Sequence, residues 1–196
     1  MARILVFAGS ARRDSLNKKL ARAATAFAAE AGAEASFVDL DDYPIPLYHG
    51  DLEAAAGMPE NAVKLREKFL AHDALLIASP ENNSSMTALL KNTIDWLSRD
   101  LREGKGDDSG LAPWRGKVAG LMAASPGAFG GIRALPHLRQ VLATLGATVL
   151  GAQVALPRAH EAFAADGSLA DERAARSVRA LATAVAQASD RLGGRG

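Results

Sequence analysis

Gly9, Ser10, Arg12, Ser15 and Asn17 gather a glycine, two hydroxyls, an amide and a guanidinium into one short stretch. They stand where an apolar run, Ile4-Leu5-Val6-Phe7, gives way to a helical pattern that begins near Ser15. A helix N-terminus offers unpaired N–H donors and a partial positive charge, so a phosphate binds well there. Arg12 would add a charge-assisted grip, and Ser10, Ser15 and Asn17 each carry a donor for a phosphate oxygen. The same residues also make a Ser15 N-cap followed by a solvated turn. The stretch is neither G-x-x-x-x-G-K-[ST] nor G-x-G-x-x-G. On these residues alone both readings stand.

Two further polar stretches follow apolar runs. Ser79-Pro80-Glu81-Asn82-Asn83-Ser84-Ser85 comes directly after Ala74–Ala78. Asn82, Asn83, Ser84 and Ser85 can hold ring or sugar-alcohol oxygens, and Ser84 or Ser85 is expected to cap the helix that follows. Glu81 reads as a solvated or structural acid rather than a general base. Ser125-Pro126-Gly127-Ala128-Phe129-Gly130-Gly131 comes after Lys117–Ala124. Its glycines allow backbone N–H groups to approach a ligand closely, which suits a heterocycle edge that gains negative charge on reduction. A plain turn is the alternative.

Other chemistries find less footing. The four histidines, His49, His72, His137 and His160, are scattered without ligand spacing, so no metal site is expected. With no cysteine there is no disulfide, thiol nucleophile or thiolate site. No G-x-S-x-G elbow points to a serine hydrolase, and Ala8-Gly9-Ser10 replaces the acids that a phospho-receiver carries after its first strand. A formal net charge of +1 makes no case for nucleic acid or a membrane surface. No apolar run is long enough to span a bilayer, and the first strand starts too early for a signal peptide. A cytoplasmic location is the default expectation.

The elements that must position these residues alternate. Apolar runs predict strands at the start of the chain and over 35–40, 74–78, 117–124 and 147–154, with Gly151 interrupting the last. Helical spacing predicts helices from Ser15 to about Gly32, over 61–71, from about Met86 to Arg99, through Leu135–Leu145 and over 171–192. In the second of these, Val63, Leu65, Phe69 and Leu70 are the expected buried side chains. Tyr43-Pro44-Ile45-Pro46-Leu47-Tyr48 must be extended, 101–113 reads as loop, and 193–196 as a frayed end. One domain over 1–196 with hydrophobic content of 48% suffices for a full core. Strands separated by helices imply a parallel sheet covered on both faces, here a flavodoxin-like doubly wound α/β fold of order 2-1-3-4-5. Ligands of such folds bind beyond the carboxyl ends of the strands at the switch point. The three polar stretches follow strands one, three and four, so all should line one crevice suited to a planar, phosphate-bearing ligand.

The residues resemble a known family, the NAD(P)H-dependent FMN reductases, which include quinone, chromate and azo-dye reductases. Gly9-Ser10-x-Arg12-x-x-Ser15-x-Asn17-x-x-Leu20 resembles its phosphate loop. Ser79-Pro80-Glu81-x-Asn83-x-Ser85, continuing through Leu90-Lys91-Asn92-x-x-Asp95-Trp96-x-Ser98-Arg99, is similar to its longest motif. Ser125-x-Gly127-x-x-Gly130-Gly131-x-Arg133 and His137-Leu138-Arg139-Gln140 match a third, and Phe163-x-x-Asp166-Gly167-x-Leu169-x-Asp171 a fourth.

The resemblance implies that Ser10, Arg12, Ser15 and Asn17 hold the FMN phosphate. It implies that Pro80, Glu81, Asn82 and Asn83 border the ribityl chain and ring, and that Ser125, Gly127 and Gly130 approach the ring's polar edge. It further implies a homodimer or homotetramer, with the helix carrying Leu90, Lys91, Asn92, Ile94 and Trp96 as an interface candidate and core packing as the alternative for Trp96. Position 82 departs from the pattern: the family typically has tyrosine where this chain has Asn82.

The expected activity is hydride transfer from NADPH or NADH to bound FMN, then to a small-molecule acceptor: a quinone, free flavin, a nitro or azo compound, or a metal oxyanion. The flavin carries the redox chemistry, so no side-chain acid or base is called for. The rivals are a flavodoxin-like electron carrier, which would be strongly acidic with a threonine-rich phosphate loop, and a flavin-free binding protein of the same fold.

Overall fold

The computed structural model describes residues 1–99 and 110–193. Five strands, β1 (Arg3–Ala8), β2 (Glu34–Asp39), β3 (Ala74–Ala78), β4 (Val118–Ala124) and β5 (Thr148–Leu156), form one sheet of order β2-β1-β3-β4-β5. Every pairing in it is parallel. The helices are α1 (Leu16–Glu30), α2 (Gly50–Ala56), α3 (Glu60–Leu70), α4 (Ala88–Leu97), α5 (Ala134–Thr144) and α6 (Glu172–Gly193). This is the doubly wound order expected from the sequence.

Side-chain alternation along the strands divides the core in two. Ile4, Val6 and Ala8 of β1 face α1 and α6 with Leu76, Met122, Leu181 and Val185. Leu5 and Phe7 face the other way, onto Leu65 and Phe69 of α3, Leu90 and Ile94 of α4 and Leu138 and Leu142 of α5. The central strands are buried on both faces, which is why their sequence shows apolar runs without polar alternation. α1 buries alanines, Ala21, Ala24 and Ala28, and so lies close on the sheet.

Several local expectations are corrected. In α3, Leu70 is exposed and Val63 only half-buried; Ala62 and Arg66 are buried beside Leu65 and Phe69 instead. Leu70 sits in the last turn, where the helix face has rotated away from the sheet. α2 has no counterpart in the sequence reading. β5 runs past Gly151 to Leu156 because a bulge between its pairings with Ala119 and Leu121 absorbs the irregularity. The loop expected over 101–113 falls on described residues only from Gly110 onward, and the frayed end only at Gly193.

The segment after β2 is extended, as its prolines require, and is strapped onto α4. Asn92 accepts from the Tyr48 N–H (2.8 Å) and donates to the Pro46 carbonyl (2.9 Å), and Trp96 Nε1–H donates to the same carbonyl (2.8 Å). The Tyr48 ring meets Trp96 edge-on at 5.1 Å, and its hydroxyl donates to Glu53, which also takes Arg99 Nε–H. Leu90, Asn92, Ile94 and Trp96 are buried within the chain, leaving Lys91 as the exposed member of the expected interface set. Of the residues named as an interface candidate, Asn92 and Trp96 are engaged by the chain's own strap.

Candidate active site

At the carboxyl end of the sheet, the loops after β1, β3 and β4 enclose a cleft of about 450 Å3, within the range of small-molecule sites. Its wall carries Ser10, Arg12, Ser15, Asn17, Pro80, Glu81, Asn82 and Ser125 from the expected set. Asn83, Gly127 and Gly130 lie off it.

The β1 loop is tied to the start of α4. Thr87 Oγ1 donates to the Gly9 carbonyl at 2.7 Å and accepts from Leu90 N–H at 3.1 Å, which makes Thr87 the N-cap of α4. The cap expected from Ser84 or Ser85 is therefore corrected to Thr87, nearer the apolar run. Glycine is required at position 9 by close approach: a Cβ there would stand 2.9 Å from Leu90 Cβ. Ser15 caps α1, accepting from Lys18 N–H, so the capping half of the open question is answered. A cap oxygen keeps its own hydrogen, and the hydroxyl remains able to donate into the cleft. Ser10 Oγ accepts from Arg12 N–H. Arg12 and Arg13 are exposed and make no ion pair among the described residues.

Asn17 is differently placed from its neighbours. It is buried, its Nδ2 donates to the Ala124 carbonyl (2.8 Å), and its Oδ1 accepts from Ala124 N–H (2.9 Å). The amide thus clasps the end of β4 to the start of α1, leaving one Nδ2 hydrogen unengaged in that clasp.

After β3, Asn82 and Ser85 exchange both backbone hydrogen bonds, with Asn83 (φ 50°) and Ser84 (φ 64°) between them. Two central residues at positive φ define a type I′ hairpin turn. The turn leaves Asn83 outside the cleft wall and Asn82 on it. His137 reaches Ser85 Oγ at 3.0 Å. Glu81 faces Arg133, taking its Nε–H at 2.7 Å and its backbone N–H at 2.9 Å. Burial alone would push the Glu81 carboxyl up. The Arg133 hydrogen bonds and charge, with a bond from the Ala134 amide, outweigh it and hold the group below its ordinary value. Glu81 is a paired, ionised, structural acid.

After β4, Ser125 Oγ accepts from Gly127 N–H at 3.1 Å, and the Gly127 carbonyl accepts from Arg158 N–H. Gly130, at φ 61°, is buried; a Cβ on it would stand 2.8 Å from the backbone at Leu156 and Pro157. Its glycine identity is explained by loop-to-β5 packing. The N–H of Gly127 is turned onto Ser125.

Sequence reasoning missed the apolar part of the wall: Leu16, Ala88, Leu89 and Pro126. Leu16 and Leu89 fall at apolar helical spacing, which in sequence reads as core packing; both are half-buried at helix starts, next to the polar loops. Among the described residues no group of three His, Asp or Glu side chains is placed to hold a metal, and no helix is long and apolar enough to cross a membrane.

Residues 2–161 match the model of a family described as NADPH-dependent FMN reductase. The chain is 36% identical over 178 residues to an NAD(P)H-dependent FMN reductase of Pseudomonas aeruginosa, covering 90% of this chain and 89% of that protein. It is 39% identical over 143 residues to a 2-hydroxy-1,4-benzoquinone reductase of a Burkholderia species, covering 73% and 71%. Among solved structures, the flavoenzyme NAD(P)H:(acceptor) oxidoreductase FerB of Paracoccus denitrificans superposes with a TM-score of 0.81 at 31% identity, over 97% of this chain and 98% of that one. Sequence and architecture agree over nearly the whole length: the chain belongs to the NADPH-dependent FMN reductase family.

Proposed function

We propose that this protein is an NAD(P)H-dependent FMN oxidoreductase that reduces quinones, with free flavin, nitro and azo compounds and metal oxyanions as further acceptor classes. The observation that carries the reading is the pairing, in one cleft, of a cationic helix start with a half-apolar wall. FMN fits that donor set. The Arg12 guanidinium makes no ion pair among the described residues, Ser10 and Ser15 offer hydroxyls, and α1 directs its N-terminus at the same place. Leu16, Leu89, Pro80 and Pro126 supply flat apolar contact for a ring.

When bound, FMN supplies the redox chemistry, taking hydride from NAD(P)H and giving electrons to the acceptor. The protein's contribution is placement. Arg12, Ser10 and Ser15 would hold the phosphate, with the unengaged Nδ2 hydrogen of Asn17, whose clasp fixes the two loops that flank it. The Glu81–Arg133 pair cancels charge beside the ring position, and the Asn82–Ser85 turn sets the outer rim. With Asn82 on the wall, the rim is small and polar, which favours a roomy acceptor site.

A homodimer or homotetramer belongs to the proposal, seated away from the strapped face of α4; light scattering measures it. The activity is tested by titrating the protein with FMN and adding NADPH or NADH under anaerobic conditions. Flavin absorbance should bleach and return on adding quinone. Bound flavin that neither nucleotide reduces would favour the electron carrier, and no flavin binding at micromolar concentration would favour the flavin-free reading.

A further inference from the structure

Lys18 occupies a position where a helix start favours an acid. Ser15 caps α1, and the reciprocal capping pattern would place Glu or Gln three residues on. This chain has Lys18 there, and the first turn of α1 contains no acid. A cation at that end opposes the helix dipole, and burial adds a desolvation cost: the Lys18 side chain is only 6% exposed. A residue so placed is held by specific partners. Its ammonium meets Asp39 Oδ1 at 2.8 Å, at the end of β2, and donates to the Ala11 carbonyl at 3.3 Å. Ala11 lies between Ser10 and Arg12 on the cleft wall, whereas Lys18 is not part of the wall.

The consequence concerns the loop. A carbonyl directed into the cleft would set its negative end against a phosphate. The Ala11 carbonyl is instead tied back onto a cation behind the wall, leaving the Ser10 hydroxyl and the Arg12 guanidinium on the cleft side. Asp39 anchors that cation to the neighbouring strand and also accepts from Asp41 N–H, so it is fixed itself.

We infer that Lys18 is a positioning residue for phosphate binding. Acting through the Ala11 carbonyl, it sets the loop that presents Ser10 and Arg12, with Asp39 as its counter-ion. This rests on the flavin reading above and extends it to a residue that does not touch the ligand.

The test compares FMN with riboflavin, which lacks the phosphate. Dissociation constants for both come from quenching of flavin fluorescence in wild type, Lys18→Met, Lys18→Arg and Asp39→Asn, with thermal unfolding of each ligand-free protein alongside. Lys18→Met should weaken FMN about tenfold, the scale of one charge-assisted contact, and leave riboflavin unchanged. Lys18→Arg should recover most of the loss. Asp39→Asn, which frees the Lys18 ammonium from β2, should weaken FMN several-fold and leave riboflavin unchanged. Equal losses for both ligands in Lys18→Met, or no loss for either, would overturn the inference. Should that variant not fold, Asp39→Asn decides alone, a parallel loss of both ligands or no loss of either being the contrary result. Wild-type protein that bound neither flavin would overturn the flavin reading as well, a result recognisable before any variant is made.

Discussion

The two ends of the cleft handle charge in opposite ways. At the β1 end, the Arg12 guanidinium stands exposed with no ion pair among the described residues, and the buried cation behind it, Lys18, is the one that is neutralised. At the other end, Glu81 and Arg133 cancel each other, and the Gly127 N–H of the β4 loop is turned onto Ser125. The β1 end is therefore organised to receive a charge; the other end is organised to keep its shape without one. That division suits a ligand that carries its charge on one terminus. It also separates two kinds of residue: those whose loss changes affinity and those whose loss changes the fold.

The comparison can be broken most forcefully at Gly130. Gly130→Ala places a Cβ against backbone at a positive φ, a strain of about 3 kcal/mol, and should lower the melting temperature by roughly 10 °C. An unchanged melting curve would mean the β4 loop is less constrained than its packing indicates.

Arg12→Ala should act on affinity instead. FMN binding should weaken by about 10- to 100-fold, for one charge-assisted contact, with riboflavin binding and thermal stability unmoved. Equal effects on both flavins would remove Arg12 from the phosphate.

Asn82→Tyr probes the other end for room. A stacked ring adds about 0.5–1.5 kcal/mol, so FMN should bind several-fold to about tenfold more tightly while bulky quinones turn over more slowly. Tighter binding with no change in acceptor range would detach Asn82 from the acceptor site.

Glu81 gives a pH signature. Its carboxyl titrates lower in the folded protein than in the unfolded chain. The stabilisation is therefore whole above the ordinary glutamate value of about 4.3 and is lost as pH falls through the folded value. Arg133 is 56% exposed, so the pair is worth at most about 1 kcal/mol. Glu81→Gln should lower stability slightly at neutral pH and flatten its decline on the acid side. A steeper acid decline in the variant would contradict the pairing.

The smallest effect is expected at Ser84. Ser84→Gly creates the Asn-Gly pair that a type I′ turn prefers and should raise stability by a few tenths of a kcal/mol, measured by denaturant midpoint. Destabilisation would mean that the turn is held by something other than its backbone.

What the sequence made legible follows from the strength of each local signal. Both-sided burial leaves unmixed apolar runs, so the strands and their order could be read from Ile4–Phe7, Ala74–Ala78 and Lys117–Ala124. The crevice followed, because a parallel sheet puts all strand ends on one side. α2 could not be read: Gly50–Ala56 buries none of its residues and so has no apolar stripe. It is held by His49, which caps it, and by Glu53, which joins Tyr48 and Arg99. Thr87 was obscured by two serines that occupy a positive-φ turn. The clasp made by Asn17 could not be read, because its partner, Ala124, is a backbone group far along the chain; it leaves one Nδ2 hydrogen unengaged on the cleft wall.

That clasp sets an order of events. Asn17 and Ala124 are 107 positions apart, and the cleft also needs the Thr87 bond to Gly9. Nothing shorter than the fully docked β4 completes the walls. Such distant pairings close late in folding, since chain entropy is lost before they form. A ligand that requires finished walls stabilises the native state and not the transition state that precedes it. Added FMN should accordingly leave the refolding rate of this protein unchanged and slow its unfolding, so that cofactor supply governs how long each molecule lasts rather than how quickly it is made.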